Sequence, residues 1–167
     1  MTRPASLRLA PAGSPDFSRF GRWIAAPGIA GDRVDLTAIL SCDGAPGIVA
    51  RAHVNYVAPS ALPLAVTRME RHPRAWQAFM PLDVARYVVV VAGKRADGSP
   101  DPADMHAFLV PGTMGVAYAP DVWHIGATVL ERTGHFTVLW PREPDAPDGG
   151  PGDTLLLSLD APVEVTA

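Results

Sequence analysis

One cysteine, Cys42, and one lysine, Lys94, are all this chain has of two common residues. A lone cysteine excludes an internal disulfide and makes a reducing compartment the simplest expectation. Lys and Arg together number 14, so with one Lys the other 13 are Arg; they are scattered along the chain, and the formal net charge is −3. With no basic block to neutralise a phosphate backbone, no nucleic-acid partner is expected. Long hydrophobic runs are missing as well. The longest, Tyr87 to Gly93, is far too short to cross a bilayer. The opening stretch, Met1 to Gly13, carries Arg3 and Arg8 but no apolar core of signal-peptide length. These absences together point to a cytoplasmic protein with no membrane partner.

Helical periodicity is equally scarce, which disfavours a doubly wound α/β fold. One short helix is signalled. Ser14 can cap it, Pro15 suits its first position, Asp16 favours its positive end, and Gly21 stops it after about two turns. Phe17 and Phe20 then share one face.

Turns and strands are what the chain has in quantity. The 18 Pro and 15 Gly are spread through 167 residues, as where many short elements meet at turns, and the 48% apolar and 19% charged residues are a globular balance. The length suits one domain, residues 1–167. Gly47 to Val57 alternates, with Ile48, Ala50, Ala52 and Val54 set against Val49, Arg51, His53 and Asn55, the period-2 mark of a half-buried strand. Leu62 to His72 is a second extended run. Tyr87 to Val91 is continuous and β-branched, as in a strand buried on both faces. Shorter candidates are Met105–Val110, Gly115–Ala119, His135–Trp140, Thr154–Leu159 and Val163–Thr166. The Pro- and Gly-rich tract Pro141 to Gly152 reads as a surface loop before the last strands. Many short strands between such turns predict an all-β sandwich or barrel with one short N-terminal helix.

Two segments carry the chemistry. In the first, strand geometry puts Leu62, Leu64, Val66, Arg68, Glu70 and His72 on one face, which begins apolar and ends in ionisable groups. Such a switch suits a barrel strand passing from packed core to open mouth. Pro73 breaks the strand, and Gln77 follows. The second segment is Gly115 to His124, a strand bearing Tyr118, a Pro-containing turn and a His.

Together the segments resemble the paired cupin motifs, with Glu70, His72, Gln77 and His124 at the matching positions. From Leu9 to Trp140 the likeness narrows to the ureidoglycolate lyase family (ureidoglycolate hydrolase in older usage). It is carried by Leu62-Pro63-Leu64, Glu70-Arg71-His72-Pro73, Gln77-Ala78-Phe79 with Pro81, the run Val88 to Val91, and Val122-Trp123-His124. Asp16 to Gly21 also resembles that family's short helix. There are departures. The family pattern has His at Thr67, an acidic residue at Arg68, and Asn-Arg-Ala-Gln at Asn55-Tyr56-Val57-Ala58. It has a polar residue at Ala119, Asn at Asp121 and a second His at Ile125.

The resemblance implies cleavage of ureidoglycolate, a small carboxylate-bearing substrate of allantoin and purine catabolism, to glyoxylate and urea by a cytoplasmic homodimer. Glu70, His72 and His124 would be catalytic. Arg68, Gln77 and Tyr118 would bind substrate, Arg68 replacing the Arg lost at Tyr56, while Arg71 on the opposite face would be structural. No organic cofactor is implied. A divalent ion held by His72, Gln77, His124 and Glu70 would suit Ni, Zn, Fe or Mn about equally. Two alternatives stay open at this stage: a cupin acting on another small hydroxy or keto acid, and a metabolite-binding cupin without chemistry.

Overall fold

A computed structural model of the chain describes residues 6–40, 47–143 and 154–167. Cys42 and most of the Pro141–Gly152 tract, from 144 on, lie outside the described residues. The strands are β1 (Ser6–Pro11), β2 (Gly21–Ala25), β3 (Ala52–Val57), β4 (Pro59–Ser60), β5 (Leu64–Arg71), β6 (Gln77–Pro81) and β7 (Arg86–Lys94). They continue as β8 (Pro100–Pro111), β9 (Met114–Tyr118), β10 (Trp123–His124), β11 (Thr128–Leu130), β12 (Gly134–Leu139) and β13 (Leu155–Thr166). Helix among the described residues is confined to a 3₁₀ turn, Pro15–Phe17, and one α-turn, Thr37–Leu40. The first starts as expected, with the Ser14 side chain accepting from the Asp16 N–H, but it is shorter than the two turns anticipated. The chain instead leaves directly into β2, and Gly21 allows this. A Cβ there would lie 2.0 Å from the Ala117 carbonyl oxygen, so only glycine lets β2 pass so close to β9.

Eight strands form one sheet in the order β10-β5-β13-β1-β8-β7-β11-β4, and an added β10–β7 pairing joins its first strand back to its sixth. The result is a closed ring. Five more strands, β2-β9-β6-β12-β3, form a second sheet packed on it. This is the cupin-like barrel the sequence predicts. The run Tyr87–Val91 explains how the layers adhere. Val88, Val90 and Ala92 face a cluster with Met69, Met105, Trp123 and Val163, drawn from the ring's own strands. Tyr87, Val89 and Val91 face the other way, onto Phe79, Val116, Phe136 and Val138 of the second sheet. A strand buried on both faces has no polar positions to alternate with, hence the unbroken apolar run.

The two candidates at Thr154–Leu159 and Val163–Thr166 prove to be one strand, β13, with a register irregularity between Ser158 and Val163. Strands β1, β2, β4, β6, β10 and β11 were not foreseen. β1 lies in the stretch without signal-peptide character and pairs in parallel with both β13 and β8.

Candidate active site

The end of β5 delivers Glu70 and His72, because the register sets Glu70 opposite His124 of β10 on one side and Leu156 of β13 on the other. Gln77 begins β6 opposite Tyr118 of β9. The four residues singled out from the motifs thus meet. His124 Nε2 lies 3.0 Å from Gln77 Oε1 and 3.6 Å from Glu70 Oε1. The His72 and His124 rings are 5.3 Å apart. Glu70, His72 and Gln77 line a cavity of about 550 Å³ between the two sheets, and His124 is buried beside it.

Strict alternation along β5 does not hold. Val66 and Met69, three apart, are both buried. The β13 partner is irregular here, since Arg68 pairs with Ser158 but Val66 with Val163. Arg68 does not share the cavity that Glu70 and His72 line. It is exposed and lines a smaller cleft of about 250 Å³, which shares only Gly126 and Ala127 with the main cavity. Its charge still reaches Glu70. Tyr118 does not line the cavity either. Its buried ring stacks on His124, with centroids 4.1 Å apart and planes 12° apart, and so fixes the imidazole from behind. Arg71 is structural, as expected: it pairs with Asp121 at 2.6 Å and lies over the Trp123 ring, while Lys94 pairs with the same Asp121.

The hydrogen bonds assign the His124 tautomer. Nδ1 lies 2.9 Å from the Val122 carbonyl, which can only accept, so Nδ1 carries the proton. Burial, and then the neighbouring His72, push the His124 pKa down to about 3, so the ring is neutral at physiological pH. Its Nε2 lone pair therefore points toward Gln77 and Glu70. Three arrangements satisfy this convergence of acceptors: the Gln77 amide presenting its NH₂, a proton on Glu70, or a cation at the focus. Burial raises the Glu70 carboxyl above the usual carboxylate range, against the opposing pull of Arg68. Ligand atoms of Glu70, His72 and His124 all lie within 4.8 Å of one another. Two imidazoles, a carboxylate and the Gln77 oxygen are a donor set that fits a divalent transition metal, with the outer nitrogen of His124 already anchored as metal-binding histidines require.

Several cavity residues escaped the sequence reading. Arg51, His53 and Asn55 form one alternate file of β3 and its approach, and all three line the cavity. The alternation from Gly47 to Val57 contained that signal, because the polar file faces inward here. Register explains why: Asn55 and His53 oppose the buried Phe136 and Val138. Arg142, paired through its backbone to Val49, is 8% exposed and also lines the cavity, with its guanidinium 4.9 Å from the Trp140 ring. Thr154, directly before β13, and Leu156 within it complete the wall.

The positions that depart from the family pattern lie elsewhere. Tyr56, Thr67 and Arg68 are exposed, Ala119 is half-buried outside the cavity, and Ile125 belongs to the ring core. None of these five lines the main cavity, and neither do the other altered positions, Val57, Ala58 and Asp121.

The ureidoglycolate lyase of Burkholderia cepacia is 45% identical over 82 residues, which cover 48% of this chain and 45% of that protein. The ureidoglycolate lyase of Salmonella typhimurium is 41% identical over 71 residues, 42% of this chain and 43% of its own length. The match thus spans under half the length of these curated relatives. Among solved structures, RmlC from Streptococcus suis in complex with dTDP-D-xylose superposes with a TM-score of 0.40 at 10% identity, over 56% of this chain and 44% of that one. A family model described as ureidoglycolate lyase matches residues 6–152, a span that includes Glu70, His72, Gln77 and His124, and the chain belongs to that family.

Proposed function

We propose that the protein cleaves ureidoglycolate to glyoxylate and urea. The observation that carries this reading is that the family's substituted positions fall outside the cavity while Glu70, His72, Gln77 and His124 meet at it. Of the altered residues, Thr67, Arg68 and Ile125 line the neighbouring cleft, which meets the cavity at Gly126 and Ala127, and none lines the cavity itself. A cytoplasmic setting, a single cupin-like domain over 1–167 and a homodimeric assembly complete the reading.

The reaction is the collapse of a carbinolamide: the hydroxyl loses a proton as its carbon becomes a carbonyl, the C–N pair leaves with nitrogen, and that nitrogen gains a proton. Hydroxyl and leaving nitrogen share one carbon, so a single carboxyl can take the proton from the first and return it to the second. Glu70 fits this task, because burial strengthens it as a base without removing it from the cavity. His124, neutral and fixed, and His72 beside it would orient the ureido group through Nε2, and the Gln77 amide offers a donor to its oxygen. When bound by His72, His124, Glu70 and Gln77, a divalent ion would supply polarisation of the substrate hydroxyl and lower its pKa. Arg142 and Arg51 are the cavity's cations and would hold the substrate carboxylate.

Purified protein given ureidoglycolate is expected to release urea and glyoxylate in equal amounts, followed by coupled assays for both products. Absence of both overturns the reading. The arginine assignment has its own test. Arg142→Ala or Arg51→Ala should raise KM for ureidoglycolate by roughly 10–100-fold, the worth of a charge-assisted pair. Arg68→Ala should change KM by less than about threefold, since its side chain opens on the neighbouring cleft. A large KM effect confined to Arg68 would return the carboxylate site to that residue.

A further inference from the structure

Thr154 stands directly before β13, in the position where the β5–β13 register, continued by one residue beyond the Leu155–Arg71 pair, sets it across from His72. Its hydroxyl lies 3.2 Å from His72 Nδ1. Both residues are buried, at 7% and 4% exposure, so water does not compete freely for the contact. Thr154 also lies beyond the residues that the family model matches. We propose that Thr154 is a positioning residue that holds His72 in a single tautomer, with Nδ1–H donating to the Thr154 hydroxyl and Nε2 left unprotonated.

The site itself supplies the reason for this direction. His124 is held the same way, its Nδ1–H donated to the Val122 carbonyl and its Nε2 turned toward Glu70 and Gln77. The Val122 carbonyl can only accept, whereas the Thr154 hydroxyl can accept or donate; accepting from His72 Nδ1–H, it would leave the two imidazoles presenting matched lone pairs. Resting on the activity proposed above, either role open to His72, orienting the ureido N–H or ligating a cation, needs Nε2 bare. A neutral imidazole in water favours no such arrangement strongly, so an outer partner must select it. Trp140, whose ring lies 4.3 Å from that of His72, restricts the imidazole's tilt but cannot choose between its nitrogens.

The test uses ¹⁵N-histidine-labelled full-length protein as wild type, Thr154→Val and Thr154→Ser, with His72 signals identified by their loss in His72→Gln. Wild type is expected to show His72 protonated at Nδ1 alone. Thr154→Val should give averaged nitrogen shifts, and Thr154→Ser should restore the wild-type pattern. In turnover, Thr154→Val should lower kcat about tenfold with KM within about twofold, as expected when an outer partner of a site histidine is lost. Unchanged His72 shifts in Thr154→Val, or averaged shifts in wild type, overturn the proposal. Should Thr154→Val melt before measurement, Thr154→Ala carries the same comparison. If no variant or wild type turns over ureidoglycolate yet the tautomer shift appears, the substrate reading fails and the Thr154 assignment stands.

Discussion

Replacing His124 with Ala is expected to cost the protein about 2–4 kcal/mol of stability and, per folded molecule, on the order of 10³-fold in turnover. A histidine at an open barrel mouth, as the sequence suggests, would be removable at little cost to folding. The structure corrects that expectation. His124 is 1% exposed, stacked on Tyr118 and hydrogen-bonded through Nδ1 to the Val122 carbonyl, so its loss leaves a cavity and an unpaired Val122 carbonyl. The buried ring also predicts a pH signature. Unfolded, the imidazole titrates near 6.5; folded, it resists protonation until about 3. The unfolded chain therefore binds the extra proton first, and stability contributed by His124 is full above 6.5 and declines as pH falls toward 3. His124→Ala should flatten that decline. Urea melts at several pH values read both effects, and an unchanged slope in the variant would show that His124 is not the group responsible.

Much of the fold was legible because its signals are local. The unbroken, β-branched Tyr87–Val91 run reads as a strand covered on both faces, and it became the shared wall of the two core layers. Other strands carry no such mark. β1 is stabilised by parallel pairing with β8 and β13, far along the chain, and nothing within Ser6–Pro11 announces partners at that distance. β6 went unread because Pro73 marks a break and the five-residue run that follows, ending at Pro81, is short. For the site, motif spacing identified the four residues that converge, because each lies at a strand end that the register fixes. Arg68 shows the limit. Period-2 reasoning gave it the Glu70 face, yet it lines the neighbouring cleft, beside an irregularity in the partner strand that β5 itself does not reveal. The inward polar file Arg51, His53 and Asn55 was visible as alternation, but which file faces the cavity depends on β12 across the sheet.

Glu70→Gln should lower kcat by roughly 10²–10⁴-fold, the range for loss of a general base, with a smaller effect on KM. The substitution keeps size and hydrogen-bonding atoms and removes only the ability to carry the proton. The pH profile identifies the group. Rate requires ionised Glu70, whose pKa burial has raised, so the wild-type rate should fall on acidification through a pH above the ordinary carboxylate range. Arg68 lowers that pKa through space. Arg68→Ala should therefore move the acid limb to still higher pH while leaving its plateau nearly unchanged, which gives Arg68 an electrostatic part even from the neighbouring cleft. Stability should behave oppositely to activity. A carboxyl with a raised folded pKa favours folding when protonated, so its contribution falls as pH rises through that value. Gln at the position carries no such penalty, and Glu70→Gln should match or exceed wild-type stability at neutral pH while being nearly inactive. A variant that instead loses stability and keeps its turnover per folded molecule would make Glu70 a structural carboxylate, and the base would have to be sought elsewhere in the cavity.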